Sequence, residues 1–407
     1  MTPVLRLKRD RDRARVHPWI FKGDVASVGA AEPGGVVTVL DSASRFVGRG
    51  FFNPRPALCC RILTRVDEPI DRAFFRRRIE AALARRAERP PTAAARLVWS
   101  EGDGLPGLVV DRYGPVVVVQ CLTLGMFRAR ADIVAALRAI AGDPPIYLRD
   151  DEVVAGLEGF EAVHGWLPGG PDGPASIVVD EAPVRFRVTF GLGHKTGLYL
   201  DQSENRRRVG RLAGGRAMLD AFAYTAGFTC HALVGGAERA VCIESSPEAL
   251  AGARGNLEEN GVAGRAQIVA GNVFDELRRL DREGKRFDLV VLDPPPFARS
   301  RATVEAAARG YKEINLRAMR LLAPGGLLAT FSCSHHVSEA LFTEICRDAA
   351  ADAGVELRVG EALTQAPDHP VLLAVPETRY LKGLLLEAGG PAWAGGPAWA
   401  GGPAGTG

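Results

Sequence analysis

The sequence predicts an α/β protein whose second half is a doubly wound parallel sheet, preceded by a small β-barrel and a compact α+β module. Three observations carry this. The chain has 407 residues, more than one ordinary core accommodates, so two or three domains are expected. From about residue 186 onward, short apolar runs alternate with stretches of helical period, the pattern of βαβ units. Before about residue 73 the apolar runs are broken by Gly and Pro and show no helical period. With 47% hydrophobic and 24% charged residues the composition is that of a globular protein.

In order, the runs "VVTVL", "FVGRGFF" and "ALCCRIL" are the expected barrel strands. Cys59 and Cys60 are adjacent there, so one side chain is expected to face in and the other out, with packing as their role. "FFRRRIEAALARRAER" at 74–89 sets Phe74, Phe75, Ile79 and Leu83 on one helical side and Arg on the other. "RLVWSE", "GLVVDRY" and "PVVVVQC" read as strands, followed by a helix at about 126–141 and the strand "PIYLRD". A Gly/Pro-rich stretch at 165–175 is a loop, and "SIVVDEAPVRFRVTF" a hairpin. The parallel sheet is assigned to "AMLDAF", "RAVCIE", "AQIVAG", "FDLVVLD" and "GGLLATF", with helices at about 228–235, 247–260, 273–283 and 304–322. The closing "GGPAWAGGPAWAGGPAGTG" is a repeat of small residues that cannot bury a core, and disorder is expected.

No apolar stretch has the eighteen residues a membrane span needs, and "MTPVLRLKRDRDRAR" lacks the apolar core of a signal peptide, so a cytoplasmic protein with no membrane partner is expected. Seven cysteines without a C-x-x-C pair exclude a disulfide framework and a zinc ribbon. Net charge is +3, yet residues 1–95 hold 19 Lys or Arg against 10 Asp or Glu, net +9, leaving 32 against 38, net −6, for the rest. A basic N-terminal module suits an anionic partner such as nucleic acid, although a solvated Arg-rich face has the same composition.

The chemistry concentrates at the ends of the expected parallel strands, where ligands of open α/β sheets bind. The first strand ends in "LDAFAYTAGFTCHAL", a strand, a small-residue loop and a helix start. Glu244 ends the next strand, about twenty residues past that loop, where a carboxylate can take both hydroxyls of a ribose. Asn272 ends the third and can hydrogen-bond an adenine edge. Helix capping is the competing role for Asn272, Ser245 and Ser246. "GLGHKTG" at 191–197 is not a P-loop, because His194 stands where Gly must precede the Lys. His335 and His336 lack a second cluster at zinc spacing, so no metal is expected. Cys333, in "FSCSHH", ends the last apolar run; it is either a small buried filler or a nucleophile.

Taken together, "HKTGLYLDQSENRR" (194–207), "LDAFAYTAGFT", "VLDPPPF", "RGYKEIN" (309–315), "TFSCS" and "DHP" with "PETRYLKGL" (368–384) resemble the class I S-adenosylmethionine-dependent ribosomal RNA methyltransferases of the large-subunit methyltransferase I type. "RDRARVHPWIFKGDV" is similar to the start of that family's PUA domain and "SEGDGLPGLVVDRYG" to its middle domain. The resemblance implies a PUA-like RNA-binding domain at 1–73, a central α+β domain at 74–185, a Rossmann-like methyltransferase domain at 186–388 and a tail at 389–407. It further implies S-adenosyl-L-methionine as cofactor, held by Gln202, Asp220, Phe222, Tyr224, Thr225, Gly227, Glu244, Asn272 and Asp293. The implied product is 5-methylcytosine in 23S ribosomal RNA, with Cys333 as nucleophile and Asp293 as its catalytic companion. Arg13, Arg15, His17, Trp19 and Lys195 are the implied RNA contacts, through phosphate pairing and stacking. Trp19 could equally be a core residue. Ribosomal RNA and a second copy of the chain are the candidate partners. The chain departs from the family pattern at Pro296, where Lys is common, and at Asn272 and Glu244, where Asp is usual.

Carbon 5 of cytosine is too poor a nucleophile to take a methyl group unaided, whereas thiolate addition at carbon 6 puts electron density on it. "FSCS" and "LDPPPF" end strands that neighbour one another in the usual order, about 5 Å apart, so that Asp293 and Cys333 can face one base. The base must leave its stack, which favours single-stranded or loosely structured RNA. Two other functions fit the same sequence: methylation of another base position, with Cys333 incidental, and a non-catalytic RNA-binding assembly protein.

Overall fold

The computed structural model describes residues 2–10, 17–88, 90, 92–171, 173–191, 197–298 and 300–389. Of the expected features, Arg13, Arg15, Lys195, most of the 191–197 motif and the tail beyond Gly389 lie outside these residues. The chain divides into two compact units, Met1–Glu204 with Gln365–Arg379, and Asn205–Thr364 with Tyr380–Gly407. This differs from the expected boundaries at 73/74 and 185/186. The first unit takes in both early modules and the hairpin, and also a returning segment far away in sequence.

In the first unit, β1 (Val4–Leu7), β2 (Trp19–Phe21), β3 (Val25–Val28), β4 (Gly35–Leu40), β5 (Phe46–Phe52) and β6 (Leu58–Thr64) form one sheet in the order β2-β6-β5-β4-β1-β3. Leu5, Ile20, Val37, Val39 and Val47 fill its core. The expected inward–outward split of Cys59 and Cys60 is corrected here: both are buried. Ile20 pairs with Cys60 but Phe21 pairs with Leu58, so Cys59 sits in a bulge and its thiol turns inward to the Ile20 carbonyl, 3.4 Å away. Then come α1 (Arg72–Ala84), capped by Asp71, and β7 (Ala95–Trp99), β8 (Leu108–Tyr113) and β9 (Val116–Cys121). The single helix expected at 126–141 is two, α2 (Leu124–Arg128) and α3 (Arg130–Ala141). After β10 (Ile146–Arg149), α4 (Glu152–Glu158) and β11 (His164–Trp166), the five strands line up as β11-β10-β9-β8-β7. β12 (Ser176–Glu181) and β13 (Val184–Thr189) are the expected hairpin.

The returning segment is fastened to the first unit by buried charge. Arg86 donates to both oxygens of Asp103 at 2.9 and 2.7 Å and to the Asp368 carbonyl at 2.6 Å, and Arg96 grips Asp111 through two bonds of 2.8 Å.

The second unit opens with α5 (Ser203–Leu212) at the division and continues with β14 (Ala217–Ala221), α6 (Gly227–Val234), β15 (Arg239–Glu244), α7 (Pro247–Glu259), β16 (Ala266–Ala270), α8 (Val273–Arg282), β17 (Phe287–Leu292), α9 (Val304–Arg320), β18 (Leu322–Ser332), α10 (Glu339–Ala353), β19 (Leu357–Thr364) and β20 (Lys382–Ala388). The sheet order is β16-β15-β14-β17-β18-β20-β19. β14 to β18 pair in parallel, while β20 runs antiparallel to β18 and β19. β14 has its sequence successor on one side and β17 on the other, which makes its carboxyl end the switch point where such sheets open a ligand crevice. Apolar strands with residues such as Leu219, Val290 and Leu328 fully buried explain why this part reads as continuous hydrophobic runs. Among the described residues no helix is long and apolar enough to cross a membrane.

Candidate active site

The site is assembled at the carboxyl ends of β14, β15, β16, β17 and β18. The loop leaving β14 is held in an uncommon backbone path, with Phe222, Tyr224 and Ala226 all at positive φ (66°, 49° and 61°). Each such residue costs free energy unless its surroundings enforce it, and clusters of this kind mark ligand-binding loops. Glu244 supplies part of the enforcement. Its Oε2 accepts from Tyr224 N–H at 2.9 Å, and its Oε1 from the N–H groups of Ser245 at 2.7 Å and Ser246 at 2.9 Å. The Ser245 hydroxyl also donates to Oε1, at 3.4 Å, so the acceptor capacity left lies on Oε2, which takes one amide only. The Thr225 carbonyl accepts from Asn256 Nδ2 at 3.0 Å, tying the loop to α7. Gly227 opens α6 beside Arg206, whose Cδ would lie 2.8 Å from any added Cβ.

Asp220, the penultimate residue of β14, is 1% exposed. Its Oδ2 accepts from the Thr229 amide at 3.1 Å and hydroxyl at 2.7 Å, while Oδ1 is buried without a hydrogen-bond partner. Burial pushes its carboxyl up to about 6, against the lowering effect of the Thr229 bonds. An orphaned buried acceptor beneath a strained loop is what a ligand with hydrogen-bond donors would complete. Asn272 is exposed and caps α8, its Oδ1 accepting from Phe274 N–H at 2.9 Å; its Nδ2 is a further donor at the end of β16. Phe222, Phe274 and Phe297 face one another across these strand ends, with ring centroids 5.9 to 6.5 Å apart.

β17 and β18 bring the last two candidates together. Leu292 pairs with Thr330, so the chain leaves β17 through Asp293-Pro294-Pro295-Pro296 beside the tip of β18. The Cys333 thiol donates to the Pro294 carbonyl at 3.8 Å. The "SCS" sequence is explained by strand alternation. Ser332 and Ser334 turn to the interior, where both hydroxyls meet the Tyr311 phenol of α9, at 3.0 and 2.9 Å, and Ser334 Oγ also accepts from Ala298 N–H at 3.2 Å. Cys333 must then turn the other way, toward the proline turn. It is partly exposed, whereas the other six cysteines are buried. Burial raises the thiols of Cys121, Cys242 and Cys346 to about 12 and pushes those of Cys60 and Cys230 up as well.

The remaining candidates lie in the first unit. Gln202 is buried in the turn Leu200–Gln202. His17 Nε2 lies 3.0 Å from Glu377 Oε2, and the Trp19 indole donates to Glu101 Oε1 at 2.8 Å. The two rings meet edge to face at 5.0 Å. Sequence reasoning missed Tyr311 and Lys382. Tyr311 lies inside the "RGYKEIN" motif, where nothing local marks its role, and Lys382 is signalled by a charge heading the apolar run "LKGLLL". Its ammonium is buried and donates to the carbonyls of Ser334 and Val337 at 2.7 Å each.

Comparison with known proteins adds the following. The family described as S-adenosylmethionine-dependent methyltransferase matches residues 159–386, and a PUA-like domain matches residues 4–65. Proteins named ribosomal RNA large subunit methyltransferase I are 40% identical to this chain: those of Klebsiella pneumoniae and Erwinia tasmaniensis over 386 residues, 93% of this chain and 96% and 97% of theirs, and that of Alteromonas mediterranea over 390 residues, 94% and 98%. A Streptococcus mutans chain described as a SAM-dependent methyltransferase has the same fold, with a TM-score of 0.82 at 20% identity, covering 95% of this chain and all of that one. SMU.776, solved with S-adenosylhomocysteine, also superposes with a TM-score of 0.82 at 20% identity, over 94% and 99%.

Proposed function

We propose, from the premise that this chain belongs to the ribosomal RNA large subunit methyltransferase I family of S-adenosylmethionine-dependent methyltransferases, that it forms 5-methylcytosine in 23S ribosomal RNA through a Cys333 nucleophile. The observation that carries this reading is the placement of Cys333: the one partly exposed thiol, aimed at the proline turn that follows Asp293.

The residues at the strand ends suit the cofactor. Glu244 keeps an acceptor direction for a ribose hydroxyl, Asn272 offers an amide to an adenine edge, and the Asp220 acceptor underlies the loop from Phe222 to Gly227. Gln202 is a further candidate cofactor contact. Bound S-adenosylmethionine supplies an electrophilic methyl group. The Cys333 thiol proton passes to water, and the thiolate forms a bond to carbon 6 as the C5–C6 π pair moves onto carbon 5. Asp293 holds ring N3 and the exocyclic amine, favouring protonation of the adduct. Carbon 5 takes the methyl group, its proton leaves to water, and the C6–S pair returns to sulfur, freeing Cys333. Pro294 and Pro295 have no N–H and stiffen the turn that holds Asp293. The basic first 95 residues, net +9, favour an RNA partner, with Arg13, Arg15, His17, Trp19 and Lys195 as contacts.

The test is RNA bearing 5-fluorocytosine at the target. Fluorine cannot leave as a proton, so the wild-type enzyme should stay covalently attached. Cys333→Ser should form no such complex and methylate several orders of magnitude more slowly, because a hydroxyl is barely ionised at neutral pH. A Cys333→Ser enzyme that still methylates near the wild-type rate, or still traps, overturns the reading.

A further inference from the structure

We propose that Lys382 is the positioning cation of Cys333: its ammonium, fastened across the carbonyls of Ser334 and Val337, holds the tip of β18 and favours the cysteine thiolate. The inference rests on Cys333 being the attacking group and names the residue that makes it reactive.

The geometry follows from the strand end: the register sets the Lys382 side chain on the Ser332 face, and the ammonium reaches the turn after Cys333 by running past the tip of β18. β20 runs antiparallel to β18 with Ser332 opposite Lys382, so the lysine begins its strand beside the residue that precedes the cysteine. Its side chain crosses the tip and donates to Ser334 O and Val337 O at 2.7 Å each. The two bonds bracket the turn that follows Cys333. A lysine 7% exposed at the head of an apolar strand is costly to keep charged, because burial removes the water that stabilises the ammonium. Two carbonyls recover part of that cost, and a neighbouring anion recovers more. Burial lowers the Lys382 ammonium to about 8, while negative charge on Cys333 and on Glu339 raises it. The attraction is reciprocal: what holds the proton on Lys382 when the thiolate is present also favours the thiolate when Lys382 is charged.

Of the other titratable groups around the pair, the phenol and the acids cannot supply this charge, and the two histidines do so only when protonated. Tyr311, from α9, is engaged by Ser332 and Ser334 and is pushed above its ordinary value, first by burial. Glu339, opening α10, and Asp293, on the turn after β17, are acids. His335 stacks against Tyr380 at 5.8 Å, with His336 beside it. A cysteine beside a charged lysine is the arrangement that lowers a thiol into the reactive range.

Lys382 could also brace the tip only mechanically, through its two hydrogen bonds. Lys382→Gln removes the charge and keeps two N–H donors on a side chain one bond shorter, and Lys382→Arg keeps the charge, so the two variants together separate the roles. The assay is the pH profile of iodoacetamide alkylation of Cys333 in the full chain, read by peptide mass; the six buried cysteines give little background. Wild type should titrate below the ordinary thiol value of about 8.5. Lys382→Gln should move the midpoint up by about one unit, so that alkylation near neutral pH slows about tenfold. Lys382→Arg should restore most of the wild-type profile. A folded Lys382→Gln protein, with unchanged S-adenosylmethionine affinity and a wild-type profile, overturns the proposal. Should that variant not fold, a wild-type midpoint at or above 8.5 overturns it equally. Alkylation does not depend on methyl transfer, so a shifted profile together with an active Cys333→Ser enzyme would remove the cysteine mechanism and leave the lysine–thiol pairing standing.

Discussion

Replacing Tyr311 by Phe removes one oxygen from the interior of the second unit and leaves the ring. The ring packs against Phe297 at 4.6 Å and Phe342 at 5.7 Å, contacts that Phe preserves. Lost are the bonds from the phenol to Ser332 Oγ at 3.0 Å and Ser334 Oγ at 2.9 Å. Each serine oxygen retains one weaker acceptance, Ser332 from the Ser334 amide at 3.4 Å and Ser334 from the Ala298 amide at 3.2 Å. The Ser332 hydroxyl hydrogen, however, loses its acceptor in a fully buried position. Two ordinary buried hydrogen bonds are worth about 1 kcal/mol each and a stranded donor adds to that, so a loss of about 2–3 kcal/mol is expected. Two units need not unfold as one, so the suitable measurement is native-state hydrogen exchange of the β18 amides, which reads the local opening free energy. Protection should fall about 30- to 150-fold. Methylation should drop as well, since Cys333 loses the anchor that turns it to the proline turn, while cofactor affinity stays near wild type. A change in protection under about twofold would refute the reasoning, by showing that water or a rotated serine replaces the phenol at no cost.

Glu244→Ala should weaken S-adenosylmethionine binding more than one lost ribose contact would, because three loop amides also lose their acceptor; calorimetry giving unchanged affinity would count against the assignment. Asp220 has its folded-state carboxyl raised to about 6, so the native state holds the proton more tightly than the unfolded chain between about pH 4 and 6 and loses stability as pH rises through that window. Asp220→Asn, which cannot ionise, should therefore gain on wild type as pH rises from about 4 to 6, by up to about 3 kcal/mol, and hold that difference above it; melting curves with a pH-independent difference would refute the shift. Reversing Arg13 and Arg15 to Glu should weaken RNA binding and flatten its salt dependence without changing cofactor affinity, and equal RNA affinity in filter binding at low and high salt would argue against a phosphate contact.

Much of the second unit is legible in the amino-acid sequence. Its central parallel strands, β14, β17 and the end of β18, are runs buried on both faces, and such runs announce themselves as apolar residues closed by a turn residue, while β16 at the edge of the parallel set is only partly buried. The helices after them begin where Ser246 and Asn272 cap them, a local hydrogen bond visible in the residue type. Other elements give weaker signals. β19, "LRVGEALT", is largely exposed and alternates poorly, and α10 escapes the sequence reading although its caps and apolar face are regular. The return of residues 365–379 to the first unit rests on Arg86 and Arg96 reaching Asp368 across more than 270 positions, which no local window contains.

The candidate site divides along the same line. The sequence alone determined which residues end the strands, hence Asp220, Glu244, Asn272, Asp293 and Cys333, because strand ends follow from local burial and turn chemistry. Tertiary structure alone decided what each of them touches there. Glu244 is a clamp on three amides, and Asn272 a helix cap. Cys59 is drawn inward by a bulge. Cys333 is turned outward because its two neighbouring serines are claimed by Tyr311, 21 and 23 residues away. Lys382 comes to the turn that follows it through the pairing of β18 with β20 and two bonds to the carbonyls of Ser334 and Val337. The physical reason is range: periodicity records whether a residue is buried, but the partner that satisfies a buried polar group is supplied by another strand or helix, and only the folded chain specifies which.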